Sequence, residues 1–217
     1  MGLSNTRINT RSGRIIVLAD PQPEDICIED IAHALARICR FAGHTDRFCS
    51  VAAHSLAVEH EVNVRWPAGA EDGDLQAPTA IALAALLHDA AEAYVGDVSR
   101  PLKALLRQRP VELAGRPTLE QVEWRVQAAI AERFGFAPDL FFLPAIKDAD
   151  LAILHEESRT LMSRSKLVVD RRPERPASVG ITVLDPEAGE ALFLRRFHDL
   201  AARRIREQTP TTKGKEA

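Results

Sequence analysis

Apolar residues recur at helical spacing through most of this 217-residue chain, and that period constrains the fold more than any other feature. Ile28, Ile31, Leu35 and Ile38 predict a helix over 28–39. Val51, His54, Val58 and Val62 share one face of a helix over 49–64. Further helices are expected over 78–93, 119–134, 144–163 and 187–207, that over 119–134 opened by a Thr118–Gln121 capping box. Aromatic residues make up only 5% of the chain while Ala and Leu abound, a mix that favours helices over strands. Two β-branched runs stand apart: RIIVL (14–18), read as one arm of a small hairpin, and ITVL (181–184), read as a second short strand. The expected fold class is therefore all-α, with minor short strands at the N-terminus and near residue 182.

The length suits one domain, placed at 1–208 with its core at about 25–165, followed by a disordered tail over 209–217. Polar, Gly/Pro-rich loops are expected over 67–79 and 107–117, and a Pro/Arg-rich linker over 170–180. A net charge of -3 gives no reason to expect a nucleic acid or an anionic membrane as partner. Arg195, Arg196, Arg203, Arg204 and Arg206 make the last helix basic, read as a solvated or subunit-contact face. Cys27, Cys39 and Cys49 form no C-x-x-C pair, and the N-terminus lacks an apolar signal region, so a reduced, cytoplasmic protein is expected.

Three of these apolar faces carry polar residues that a core does not need. Helix 49–64 places His54 on its apolar stripe. Helix 78–93, treated as continuous, aligns Ile81, Ala85, His88 and Glu92, with Asp89 beside His88. Helix 144–163 places Asp150 with Ile146 and Ile153, while Asp148 points about 200° away. A buried charge needs a partner or a ligand. Two imidazoles and two carboxylates suit a divalent transition metal with positions left open for water. Glu92, one turn further along, suits an acid/base or water-positioning role. Arg40 follows an apolar helix and could cap its end or grip a phosphate; Asp97, after Gly96, could be a turn residue or part of the site.

The order H…HD…D, with "ARICRFAGH", "SVAAHSLAV", "ALLHDAAEAYVGDVSRPLK" and "IKDADLAIL", resembles the HD-domain metal-dependent phosphohydrolases. The likeness covers roughly residues 25–165 and is similar in detail to the branch containing bacterial 5'-deoxynucleotidases and phage deoxyadenosine triphosphate triphosphohydrolases. It implies an HD-domain helical bundle. It implies metal ligands at His54, His88, Asp89 and Asp150, holding Co, Mn, Zn or Mg, and catalytic roles for Glu92 and Asp97. It further implies that Arg40 reads a phosphate and that Phe41 packs on the sugar or base. The nucleotidases carry tryptophan at the position of Phe41, a departure that bears on sugar discrimination. The implied function is release of phosphate from deoxynucleoside 5'-monophosphates. The alternatives are a dATP-type triphosphohydrolase and, in a different class, an inactive nucleotide-sensing HD protein. The resemblance also implies a homo-oligomer.

Overall fold

The computed structural model describes residues 6–66, 78–108, 117–162, 164 and 172–208. The loops expected over 67–79 and 107–117 lie largely outside these residues, as does the start of the 170–180 linker; the tail at 209–217 lies wholly outside them. The architecture is mostly helical, as the period predicts. Its α-helices are α1 (Ile28–Arg37), α2 (Val51–Arg65), α3 (Thr79–Leu86), α4 (Glu92–Val95), α5 (Arg100–Arg107), α6 (Leu119–Arg133), α7 (Pro144–Leu161) and α8 (Pro186–Gln208). Among the described residues, one antiparallel hairpin pairs β1 (Arg7–Asn9) with β2 (Ile15–Val17), Ile8 opposite Ile16.

Local chemistry sets the helix starts. Ser50 accepts a hydrogen bond from the Ala53 N–H at 3.2 Å and caps α2. Thr118 and Gln121 form the expected box at α6, Gln121 N–H to Thr118 Oγ1 at 3.1 Å and Thr118 N–H to Gln121 Oε1 at 2.8 Å. Pro144 opens α7, where a missing N–H costs nothing. Helix α2 lies at the centre, packed against α1, α3, α7 and α8, and α1 packs most extensively on α8. Ile31, Leu35, Val51, Val58, Leu83, Leu86, Ile130, Ile146, Ile153 and Phe193 fill the core. Among the described residues, no helix is long and apolar enough to cross a membrane.

Three sequence expectations are corrected. The helix expected over 78–93 is not continuous: α3 stops at Leu86, the chain turns through 87–91, and α4 begins at Glu92. The strand expected at 181–184 is absent. That stretch is irregular, and just before it the N–H groups of Ser178 and Val179 donate to the Glu61 carboxylate at 2.9 and 3.0 Å instead of to a strand. Tertiary hydrogen bonding to a helix thus fixes the chain just before the β-branched run, which pairs with no strand among the described residues. Helix α5 was not expected at all.

Candidate metal centre

Four segments meet at one place. An isolated bridge between Cys39 and Ser50, closed by Arg40 N–H to Cys49 O at 2.8 Å and Val51 N–H to Ile38 O at 3.1 Å, pinches off the 40–49 loop. The pinch sets Arg40 beside the start of α2, which carries His54. The 87–91 turn supplies His88 and Asp89, and α7 supplies Asp150.

One ligand atom each from His54, His88 and Asp150 lies within 4.8 Å of the others, a group able to hold a metal ion. His54 Nε2 is 3.2 Å from Asp150 Oδ1 and 3.6 Å from Asp89 Oδ2. His88 Nε2 is 3.1 Å from Asp89 Oδ2 and 4.0 Å from Asp150 Oδ1. Both Nε2 atoms are buried without a hydrogen-bond partner. Their Nδ1 atoms are engaged: that of His54 with Glu157 Oε1 at 3.0 Å, that of His88 with the Ala85 carbonyl at 2.8 Å. An Nδ1–H donating to oxygen turns Nε2 toward the site, which is how metal-ligating imidazoles are oriented, and a metal bound there would displace any Nε2 proton. The residues present therefore fit a divalent ion.

Glu157 is the residue that sequence reasoning missed. It is 1% exposed, and its other oxygen accepts from Arg40 Nε at 3.0 Å. Its signal was legible: Ile146, Asp150, Ile153 and Glu157 recur at intervals of four, three and four along one face of α7. Arg40 is itself buried, with a guanidinium nitrogen 3.7 Å from Asp89 Oδ2. Burial alone would lower its pKa, but the carboxylates of Glu157, Asp89 and Asp150 outweigh that and hold it charged.

The same contest runs through the other groups. Burial and Arg40 oppose a charge on His54, yet Glu157 and Asp150 raise its pKa to about 9. Burial would raise Asp89 and Asp150; the imidazoles of His88 and His54 win, holding Asp89 far below the usual carboxylate range and Asp150 at about 2. Glu92 goes the other way. Burial, reinforced by Asp89 and Asp97, raises it to about 9, and its Oε2 has no hydrogen-bond partner. Burial also raises Asp97, against the pull of Arg40. Cys49, its thiol 3.7 Å from Glu157 Oε1, is pushed up to about 12 by burial and that carboxylate.

Phe41 sits at the edge, its ring centroid 5.6 Å from the Arg40 guanidinium carbon. Phe41 (φ 54°), Ala42 (φ 51°) and Gly43 (φ 79°) form one left-handed turn, closed by His44 N–H to Phe41 O at 3.0 Å. Such a turn costs an L-residue about 1–2 kcal/mol, and strain of this kind clusters at functional sites.

Asp148 points away from the site and pairs with Arg65, as the helix phase predicts. His33 pairs with Glu190 at 3.0 Å, and His44, His60 and His198 are exposed. Lys103 is engaged with Glu123 at 3.0 Å. On the basic C-terminal helix, Arg196 is paired with Glu59 at 2.6 Å.

No protein-family model matches the chain. It is 33% identical over 196 residues to the uncharacterized protein YfdR of Escherichia coli (strain K12), across 89% of this chain and 95% of that protein. It is 38% identical over 206 residues to the uncharacterized protein RCAP_rcc00048 of Rhodobacter capsulatus, across 87% of this chain and 92% of that protein. A helical protein with a buried group able to hold a metal, the chain belongs to the family of YfdR and RCAP_rcc00048.

Proposed function

We propose that the protein is an HD-domain metal-dependent phosphohydrolase that releases orthophosphate from deoxynucleoside 5'-monophosphates. The observation that carries this reading is the pair of buried, unpartnered Nε2 atoms of His54 and His88 beside the carboxylates of Asp89 and Asp150. These four residues would hold Co, Mn, Zn or Mg, which when bound supplies a Lewis acid that polarises a phosphoryl oxygen and acidifies water.

The chain's own groups do the rest. Arg40, fixed by Glu157, presents a permanent positive charge to phosphate oxygens. Glu92, protonated up to about pH 9, gives its proton to the 5' oxygen as the P–O bond breaks. Asp97, electrostatically coupled to Arg40 and Asp89, orients the attacking water and takes its proton. Phe41 offers an aromatic face to the sugar or base. The ligand set and Glu92 are intact, which speaks against an inactive sensor. Phe41, standing where the nucleotidases carry tryptophan, favours a triphosphohydrolase as the second reading.

The test is a product assay on deoxynucleoside mono-, di- and triphosphates with Mn²⁺, Co²⁺, Zn²⁺ and Mg²⁺. Orthophosphate from monophosphates supports the first reading, and inorganic triphosphate from triphosphates supports the second. No turnover of any nucleotide with any of the four ions overturns both.

A further inference from the structure

His88 and Asp89 are neighbours in sequence, and neighbours on a regular α-helix point about 100° apart. A continuous helix would not aim both side chains at one ion. The chain solves this by leaving the helix at Leu87 and re-entering it at Glu92. The local sequence LLHDAAEA gives no reason for a break, since Leu, Ala and Glu are strong helix formers.

The reason comes from α6. Gln127 Nε2 donates to the Leu87 carbonyl at 2.7 Å and to the His88 carbonyl at 2.9 Å, and its Oε1 accepts from the Ala91 N–H at 3.1 Å. In a regular helix the Ala91 N–H would bond the Leu87 carbonyl directly. Here one side-chain amide is spliced between them, a recognised cause of helix kinks. The amide is 6% exposed, between the fully buried Val126 and Ile130. Glutamine carries a donor and an acceptor on one flat group, and both are required. A carboxylate would lack the donor, and an apolar side chain would leave the His88 carbonyl and the Ala91 N–H without this partner, the Leu87 carbonyl keeping the Ala90 N–H at 3.0 Å.

We propose that Gln127 is the positioning residue that opens the helix and lets the adjacent His88 and Asp89 converge on one ion. The proposal rests on the metal-centre reading above, and its test separates the two. Gln127→Met and Gln127→Glu would be compared with the wild-type protein and with Val126→Ala, a cavity-forming control one residue away. Mn²⁺ affinity is read by calorimetry, and Ala91 amide exchange is read by NMR on metal-free protein. Both Gln127 variants are expected to weaken Mn²⁺ binding by about 10–100-fold, the usual effect of removing a group that orients a ligand, and Gln127→Met, which removes the acceptor as well, to speed Ala91 exchange. Val126→Ala is expected to lower the melting temperature and leave Mn²⁺ affinity unchanged. If Gln127→Met does not fold, Gln127→Glu, which keeps the acceptor for Ala91, carries the measurement. Wild-type Mn²⁺ affinity in the Gln127 variants, or wild-type Ala91 protection in Gln127→Met, would overturn the proposal, as would an equal loss of affinity in Val126→Ala. A wild-type protein that takes up none of Mn²⁺, Co²⁺, Zn²⁺ and Mg²⁺ would overturn the metal reading itself.

Discussion

Helices α2 and α7 carry two buried ionic networks on different sides, and only one is closed. On one side, Glu61 accepts from Ser178 and Val179 N–H and pairs with Arg65. Arg65 also pairs with Asp148 and donates to the carbonyls of Arg175 and Pro176 at 3.0 and 2.8 Å. Asp148 accepts from the Glu174 N–H at 2.8 Å, and Glu59 is gripped by Arg196. No buried side-chain atom of Glu59, Glu61, Arg65 or Asp148 is left without a partner. On the other side, His54, His88 and Glu92 each keep a buried atom unmatched. Burying polar groups unpaired costs free energy that folding alone does not return. The closed network straps residues 174–179 onto the helices, and the open one has the composition of a site that takes a ligand.

Substitutions can break this contrast, and the largest effect is expected at the open network. His88→Ala or Asp150→Asn is expected to abolish both metal binding and turnover, measured by elemental analysis and phosphate release. Asp148→Asn, two residues away, is expected to retain turnover while losing about 1–3 kcal/mol of stability in urea melts. Equal losses of activity at 148 and 150 would erase the distinction.

Glu92→Gln is next. It is expected to lower kcat by about 10²–10⁴-fold with metal content unchanged. It also sharpens the contrast through pH. The Glu92 pKa is raised on folding, so its stabilising contribution is complete below the ordinary carboxyl range and is lost as pH rises toward about 9. The glutamine variant should therefore gain stability over wild type between those limits, by about 1.4 kcal/mol per pH unit as an upper bound. A pH-independent difference in melting temperature would contradict the raised pKa.

Glu157→Ala is expected to weaken metal binding by about 10–100-fold and to raise KM, because it removes the acceptors of both His54 and Arg40. A change in only one of the two would show that Glu157 serves that partner alone. The smallest effect is expected from Ala42→Gly, which relieves the left-handed turn and should stabilise the fold by about 1 kcal/mol.

The helical period exposed α1, α2, α6, α7 and α8 because each buries one stripe against neighbours, and a histidine or aspartate inside that stripe stands out. His54 and Asp150 were legible for that reason, and Glu157 was equally available on the same face of α7. The break at 87–91 was not legible, because Gln127 enforces it from 36 residues downstream of Ala91. Nor was the fate of 181–184, where β-branched residues follow a segment fixed by Glu61 and Arg65, more than a hundred residues upstream. Helix α5 escaped notice although Leu102, Leu105 and Leu106 recur at helical spacing, and that stripe is exposed rather than closed against the core.

The pairing of α1 with α8 bears on synthesis as well as on the folded state. Arg37 and His33 reach Glu190, and the Gly189 backbone lies against Ala36. Helix α1 is made early, yet the surface it needs is encoded about 150 residues later. At a translation rate of about 5–20 residues per second, the side of α1 that meets α8 waits roughly eight to thirty seconds for its partner. The nascent chain thus leaves the ribosome with the Ala36 side of α1 uncovered, a stretch for chaperones to shield until the last helix arrives.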